Sequence, residues 1–229
     1  MLLTGAGREG QVGEAVARAL ADRGATLLLV DRSSEQARDR AKALTQSGGS
    51  AFSFGCDLAD PGGVEELASR VRHDHGENLS AVVHVAGGFA LSGPVAESDP
   101  SVWQRMFTIN LTTAYLVTRA FLPFVRSAKG AMVYFASEAA LPGGKVGGIS
   151  GYAAAKVGVL ALMRAVAQEE RANGVRANAV APTSIRTAAN VRSMGENARY
   201  VEREEVAAAV VYLCSEDASA VNGQVVALS

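Results

Sequence analysis

The sequence predicts an α/β fold, a doubly wound parallel sheet of about seven strands with helices on both faces. Short apolar segments alternate with segments of helical period along the whole chain. A glycine-rich turn follows the first apolar segment, and two helices open on Asp-Pro pairs at positions 60 and 99. Strands as apolar as these are typical of sheets that are covered on both faces. No linker or low-complexity segment divides the pattern, so residues 1–229 are expected to form a single dinucleotide-binding and catalytic domain.

The predicted elements alternate in order along the chain. Strands are predicted at Met1–Thr4, Ala25–Val30, Ser50–Phe54, Ala81–Val85, Ala131–Phe135, Val175–Val180 and Gln224–Leu228. Helices are predicted at Gly10–Arg23, Ser34–Gln46, Pro61–His75, Pro100–Arg126, Ser150–Asn173 and Arg203–Cys214. Pro123 is expected to kink or end the fourth helix, because proline has no backbone N–H to donate. In such a sheet ligands bind beyond the carboxyl ends of the strands, so the functional motifs should lie there.

The composition limits the classes of partner. Of the 229 residues 48% are hydrophobic and 20% are charged, which is typical of a globular protein. A net charge of −1 gives no electrostatic reason to expect a nucleic acid or an anionic membrane as partner. Cys56 and Cys214 fit neither a disulfide framework nor a metal site, which favours a reducing compartment. Without a signal-peptide pattern at the start or an apolar run of 18 residues, the expected location is the cytoplasm.

The first turn has the composition of a nucleotide-binding loop. The segment from Thr4 to Gly13, TGAGREGQVG, lies between a predicted strand and a predicted helix. Its glycines would let the backbone approach a pyrophosphate at the helix N-terminus. Asp31 ends the second strand, where a carboxylate would accept hydrogen bonds from ribose hydroxyls. These features predict a Rossmann-type site that prefers NAD, because Asp31 would repel a 2′-phosphate. The cationic Arg8 and Arg32 leave NADP possible.

A second motif opens the fifth predicted helix. In the segment from Gly151 to Lys156, GYAAAK, a phenol and an ammonium lie one helical turn apart. A neighbouring ammonium stabilises a phenolate, so the pKa of Tyr152 is expected below its ordinary value of about 10. A tyrosine with such a pKa can donate and accept a proton. Taken alone, the pair is more often two ordinary residues of a helix, and the rest of the chain has to support it.

The ordered set of motifs resembles the short-chain dehydrogenase/reductase family over almost the whole chain. The matching residues are Thr4-Gly5, Cys56-Asp57-Leu58, His84-Val85-Ala86-Gly87, Ile109-Asn110, Ser137, Tyr152 with Lys156, and Asn178–Pro182 with Ile185 and Thr187. The resemblance implies hydride transfer between NAD(P) and a small carbonyl compound or secondary alcohol, as in the 3-oxoacyl-acyl-carrier-protein reductases and their relatives. It also implies a homodimer or homotetramer.

The same resemblance implies roles for individual residues. The implied catalytic residues are Asn110, Ser137, Tyr152 and Lys156. The implied cofactor-binding residues are Gly5, Arg8, Gly10, Val12, Asp31, Arg32, Asp57, Leu58, Ala86, Gly87, Tyr152, Lys156, Pro182, Ile185 and Thr187. Tyr152 would give its proton to the developing alkoxide, and Ser137 would hydrogen-bond the same oxygen. Lys156 would bind the nicotinamide ribose, and Asn110 would hold a water of a proton relay.

The chain also departs from the family pattern. Its glycine loop is two residues longer than usual and resembles that of the enoyl-acyl-carrier reductases, which however have a longer Tyr-to-Lys spacing. The segment from Val85 to Phe89 is also similar to dihydropteridine reductase. A dihydropteridine-reductase-like enzyme and a non-catalytic nucleotide sensor therefore remain as alternatives. His84 is expected to be a satisfied histidine near the core, and Trp103, Met106 and Phe107 are expected in the core or in a subunit contact.

Overall fold

The computed structural model describes residues 1–229 and contains one seven-stranded sheet in which all strands are parallel. The strands are β1 (Leu2–Thr4), β2 (Thr26–Asp31), β3 (Ser50–Gly55), β4 (Ala81–His84), β5 (Ala131–Phe135), β6 (Arg176–Pro182) and β7 (Val225–Leu228). Their order across the sheet is β3-β2-β1-β4-β5-β6-β7. The strands β2 and β3 therefore lie on one side of β1, and β4 to β7 lie on the other. At this switch point, between β1 and β4, a doubly wound sheet leaves a crevice for a ligand. The predicted fold class is confirmed.

Eight α-helices connect and cover the strands. They are α1 (Val12–Ala21), α2 (Ser34–Gln46), α3 (Pro61–His75), α4 (Pro100–Phe107), α5 (Thr113–Ser127), α6 (Ser150–Glu169), α7 (Ala188–Met194) and α8 (Arg203–Cys214). Both predicted Asp-Pro starts are confirmed, since Asp60 accepts hydrogen bonds from two following N–H groups and Asp99 accepts from the Ser101 N–H. Ser33 caps α2 in the same way by accepting from the Gln36 N–H. These side chains satisfy N–H groups that the first turn of a helix leaves without partners.

Each face of the sheet has its own apolar core. A cluster of 30 buried residues joins one face to α3, α5 and α6. A second cluster of 19 joins the other face to α1, α2 and α8. A fully buried Leu or Val side chain contributes about 1.5–3 kcal/mol relative to an exposed one, so these clusters fix the helices on the sheet. The active-site elements are thereby held on both sides of the β1–β4 crevice.

The long helix predicted over residues 100–126 is in fact three segments. A single π-helical turn, Thr108–Thr112, separates α4 from α5. Pro123 lies inside α5 and does not end it. The buried side chains of Phe121 and Phe124 on either side of Pro123 hold this part of the helix against the sheet. Packing therefore outweighs the hydrogen bond that the proline lacks.

Two further differences concern α6 and α7. The helix predicted to reach Asn173 ends at Glu169 and continues as a short 3₁₀ turn, and α7 lies in a segment for which no helix was predicted. By length and composition α6 could cross a membrane. Several of its apolar residues, Val159 and Met163 among them, instead belong to the core cluster under the sheet. The sequence expectation that no segment approaches a membrane span was therefore too strong, because a core helix has a similar composition.

Candidate active site

The glycine loop and the β4 segment touch at the crevice. Gly5 follows β1 with a φ of +71°, and a Cβ at this position would lie 2.8 Å from the Cα of Ala86. A Cβ on Gly13 would overlap the Gly5 carbonyl oxygen. Only glycine at both positions lets the start of α1 approach the ends of β1 and β4 this closely. Gly5 and Gly13, the glycine cradle, thus bring the N-terminus of α1 close to the strand ends, a geometry in which free N–H groups could bind a phosphate.

Carboxylates hold the rest of the glycine loop. Asp31 accepts from the Gly7 N–H at 3.0 Å and from the Ser33 N–H at 3.2 Å. Glu14, in the first turn of α1, accepts from the Gly10 N–H at 2.6 Å and from Arg40 at 2.7 Å. The two carboxylates fix a loop that is longer than usual. Three further residues had been assigned to the cofactor from the sequence. Of these, Arg8 in the loop and Arg32 after β2 are exposed, and Val12 is the first residue of α1.

Tyr152 and Lys156 lie one turn apart at the start of α6, next to the end of β5. The Lys156 Nζ is buried, donates to the Phe135 carbonyl oxygen at 2.7 Å and lies 5.8 Å from the centroid of the Tyr152 ring. Burial lowers the pKa of Lys156 from 10.5 to about 8. Ser137 lies two residues after the end of β5 and caps a 3₁₀ turn by accepting from the Ala139 N–H. The two residues of the motif and Ser137 are thus brought together at one strand end.

The predicted low pKa of Tyr152 is wrong. Burial raises the pKa of the Tyr152 hydroxyl, and a hydrogen bond with Ser137 acts in the opposite direction. Lys156 does not offset the burial, because its ammonium donates to the backbone of β5 instead. Desolvation of the phenolate is therefore the dominant effect on the pKa of Tyr152.

Asn110 lies in the π-helical turn and is 1% exposed. Its Oδ1 accepts from the Gly88 N–H at 3.1 Å, and its Nδ2 donates to the Gly88 carbonyl oxygen and to that of Met106, both at 3.0 Å. A Cβ on Gly87 would lie 2.6 Å from the Asn110 Oδ1 and 3.5 Å from the Lys156 Nζ. The absence of a side chain at Gly87 lets the amide and the ammonium approach the same backbone. Asn110 thus anchors the segment after β4.

A buried histidine connects the ends of β1 and β4 to the start of α5. His84, at the end of β4, is 3% exposed, and its ring nitrogens lie 3.1 Å from the Thr4 Oγ1 and 3.3 Å from the Thr113 Oγ1. Thr4 also accepts from the Ala86 N–H, and Thr113 donates to the Ile109 carbonyl oxygen. One arrangement satisfies every group: Thr4 donates to Nδ1, and the Nε2–H donates to Thr113.

This network keeps the histidine neutral. Burial lowers the pKa of His84 to about 3, and the Lys156 charge acts in the same direction. The expectation of a satisfied histidine near the core is confirmed. His84 joins the ends of β1 and β4 to the first turn of α5, next to the π-helical turn that carries Asn110.

The remaining residues assigned to the cofactor lie at other strand ends. Asp57 follows β3 and accepts from the Ala59 N–H, whereas the Leu58 side chain is buried in the core, so only its backbone could face a ligand. Pro182 ends β6 and is buried. Ile185 forms an isolated bridge with Val201, and Thr187 caps α7. The structure therefore brings these residues to the carboxyl edge of the sheet. Several of their side chains, however, already contact other parts of the protein.

Three features of the site were not foreseen from the sequence. The Gly88 backbone is held by Asn110, and the Phe135 carbonyl accepts from the catalytic-motif lysine. The ring of Phe89 meets that of Tyr152 edge to face, with centroids 5.1 Å apart. Such contacts depend on which elements are neighbours in the fold, and the sequence does not show this. The only sequence signal for Phe89 was its place in the apolar segment after β4.

Comparisons with known proteins agree with this geometry. A family model described as Enoyl-(Acyl carrier protein) reductase matches residues 5–229. The cis-4-hydroxycyclohexanecarboxylate dehydrogenase of Sinomonas cyclohexanicum is 35% identical over 230 residues, which are 95% of this chain and 90% of that protein. A short-chain type dehydrogenase/reductase from Mycobacterium ulcerans superposes with a TM-score of 0.89 at 29% identity, covering 99% and 86% of the two chains. The chain belongs to the short-chain dehydrogenase/reductase family.

The membership confirms the predicted class of enzyme. Short-chain dehydrogenases/reductases are NAD(P)-dependent oxidoreductases of alcohols and carbonyl compounds, and this chain is an enzyme of that class. A gluconate 5-dehydrogenase from Burkholderia cenocepacia J2315, in complex with NADP and tartrate, superposes with a TM-score of 0.91 at 25% identity. The superposition covers 100% of this chain and 92% of that structure.

Proposed function

We propose that the enzyme interconverts a ketone or aldehyde and the corresponding alcohol, with Tyr152 as the acid and base. The single observation that carries this proposal is the convergence of Tyr152, Ser137 and the Lys156 ammonium at the end of β5, beside the glycine cradle. In the reductive direction Tyr152 gives its proton to the carbonyl oxygen as that oxygen gains charge, and Ser137 donates a hydrogen bond to the same oxygen. A donor placed beforehand in a dry site stabilises the developing alkoxide.

Lys156 supports Tyr152 through its charge. With a pKa of about 8 it is predominantly protonated at neutral pH, and its ammonium lies 5.8 Å from the centroid of the phenol ring. When Tyr152 gives up its proton, this charge stabilises the phenolate that remains. Asn110 acts by holding the Gly88 backbone, and it is the proposed anchor of a water through which the tyrosine regains a proton.

The glycine cradle fits a nicotinamide dinucleotide, because Gly5 and Gly13 pack against backbone where no side chain has room, and this brings the N–H groups at the start of α1 to the strand ends, where they can bind a pyrophosphate. When bound, that cofactor supplies or accepts the hydride. We propose that NAD is the preferred form. Asp31 places a carboxylate at the end of β2, where it would repel a 2′-phosphate, and no basic side chain neutralises it within hydrogen-bonding distance.

We also propose that the enzyme is a homodimer or homotetramer in the cytoplasm, with small molecules as its substrates. Trp103 on α4, Tyr115 on α5 and Val157 on α6 are large apolar side chains with roughly half of their surface exposed. Three such residues on adjacent helices favour a subunit contact. Light scattering on the purified protein tests the assembly, and Val157→Glu should dissociate it.

Two measurements test the catalytic proposal. Fluorescence titration with NADH and NADPH gives the cofactor preference, and a panel of ketones, alcohols and quinonoid dihydropterin gives the substrate class. Tyr152→Phe should lower kcat by about 10³-fold or more while NADH binds as before, because only the proton donor is lost. Tyr200→Phe, which removes a phenol that hydrogen-bonds the Gly195 carbonyl, is the control and should keep most of its activity. Unchanged turnover in Tyr152→Phe would refute the assignment.

A further inference from the structure

An exposed aromatic ring lies directly beside the proposed acid. Phe89 is 58% exposed, and its ring meets the Tyr152 ring at an interplanar angle of 79° with centroids 5.1 Å apart. Two positions further on, Leu91 is 73% exposed. A single exposed apolar side chain needs no explanation, but Phe89 lies against the ring whose hydroxyl has to reach the substrate.

Phe89 belongs to a segment that is fixed at both ends. On one side, Asn110 holds both the N–H and the carbonyl of Gly88. On the other side, the Gly148 carbonyl oxygen accepts from the Ser92 N–H at 2.7 Å and from its hydroxyl at 3.1 Å. The exposure of the ring therefore does not come from a free loop tip. A surface that is already ordered loses little conformational entropy when it binds a ligand.

Two wall segments, the one that carries Phe89 and the one that Ser92 joins to it, offer little charge. The segment 88–95, GFALSGPV, contains no ionisable side chain. The segment 141–149, LPGGKVGGI, which Ser92 joins through Gly148, contains Lys145 and the half-exposed Val146. Charged or heavily hydroxylated substrate groups need several partners when they lose water, and these walls provide one ammonium. An apolar group needs only contact area.

We infer that Phe89 binds the apolar arm of the substrate, so that the enzyme prefers ketones and alcohols whose reacting carbon carries an aryl, cyclic or alkyl group over polyols. The inference rests on the proposed role of Tyr152. A carbonyl oxygen bound to that hydroxyl brings the substituents of its carbon within reach of a ring only 5.1 Å from the tyrosine ring. An aromatic substituent can then make a further edge-to-face or offset contact with Phe89.

The test compares two ketones of similar length, a phenyl alkyl ketone and a polyhydroxylated ketone, with NADH as the reductant. The ketone gains a hydride at carbon and a proton at oxygen, and NADH becomes NAD⁺. The wild-type enzyme should show at least about tenfold higher kcat/KM for the phenyl ketone. Phe89→Ala should lower that value about tenfold, mainly through KM, and leave the value for the hydroxylated ketone within about twofold. Phe89→Leu, which keeps apolar area, should lose less.

A matched control uses another exposed phenylalanine. Phe52 is 46% exposed on β3, at the far edge of the sheet, and Phe52→Ala should leave the kcat/KM values for both ketones unchanged. A binding measurement adds a readout other than turnover: calorimetry with the phenyl-bearing alcohol and the NADH-loaded enzyme, a pair that cannot react, should give about tenfold weaker binding in Phe89→Ala.

Three results would overturn the inference. The wild-type enzyme could prefer the hydroxylated ketone, Phe89→Ala could lower both kcat/KM values equally, or Phe89→Ala could change only the oligomeric state. The last result would mean that the ring covers a second copy of the chain. Failure of the proposed function gives a different pattern: wild-type enzyme that binds NADH but reduces no carbonyl compound in the panel, with Tyr152→Phe behaving identically.

Discussion

Replacing Lys156 by methionine is expected to stabilise the folded protein at neutral pH while it removes activity. Burial lowers the pKa of this lysine from 10.5 to about 8. Each pKa unit corresponds to about 1.4 kcal/mol, so keeping the ammonium inside the native protein costs roughly 3 kcal/mol below pH 8. Methionine has a similar length and no charge. It leaves the Phe135 carbonyl without its donor, which costs about 1–3 kcal/mol. The net gain at pH 7 is therefore up to about 2 kcal/mol.

The pH dependence gives the stronger test of this reasoning. Between pH 8 and 10.5 the native wild-type protein has released the Lys156 proton and the unfolded chain still holds it, so the stability of the wild type rises with pH relative to the variant. Above pH 10.5 the charge penalty is gone, and the neutral amine still donates to Phe135. The variant should then be the less stable protein. Cys56 and Cys214, whose pKa values burial raises to about 11 and about 12, titrate in both proteins and cancel in the difference.

Urea unfolding followed by circular dichroism, at one-unit steps from pH 7 to pH 10, measures this difference directly. The exposed Lys42 provides the control, because Lys42→Met changes the same residue type without a burial penalty. Its difference from the wild type should stay constant over this range. If Lys156→Met also gives a constant difference, the ammonium of Lys156 is not held at a lowered pKa and the energetic argument fails. Turnover, measured with the preferred cofactor, should be lost in Lys156→Met alone.

Three further substitutions test the packing around the site and its support. Gly13→Ala should lower the free energy of unfolding by about 1–3 kcal/mol and weaken NADH binding, because the new methyl would overlap the Gly5 carbonyl oxygen. The control Gly62→Ala should raise the free energy of unfolding by about 0.5–1 kcal/mol, because its methyl meets only ordinary contacts. Equal effects of the two substitutions would contradict the close approach of Gly13 to Gly5. His84→Leu removes the acceptor of the Thr4 hydroxyl proton and one donor to the Thr113 oxygen, which should cost about 1–3 kcal/mol in all, and an unchanged Tm would refute the network. Glu170, at the end of α6, is 4% exposed and accepts two hydrogen bonds from the Arg126 guanidinium of α5, so Glu170→Gln should cost about 1–3 kcal/mol at pH 7, measured by urea unfolding. Because Arg126 lowers the pKa of Glu170, that loss should be constant above pH 4.5 and disappear at lower pH.

Much of the site was predictable because local patterns report on local geometry. The glycine run before α1, Asp31 after β2 and the spacing of Tyr152 and Lys156 each depend on a strand end or a single helical turn. The carboxyl ends of parallel strands share one edge of the sheet, so these local features are brought together by the fold class alone. The π-helical turn at Asn110 was not predictable, since the same sequence supports a regular helix when its tertiary partners are absent.

The sequence by itself determined the alternation of strands and helices, the glycine run between β1 and α1 and the one-turn spacing of Tyr152 and Lys156, because periodicity and residue spacing act over a few residues. Only the tertiary structure decided the protonation energetics and the contacts between loops. Tyr152 has a raised rather than a lowered pKa because burial, a property of the whole fold, outweighs a neighbour four positions away. Phe89 reaches Tyr152 because Asn110 and Gly148 hold its segment from distant parts of the chain, and no local pattern encodes such contacts.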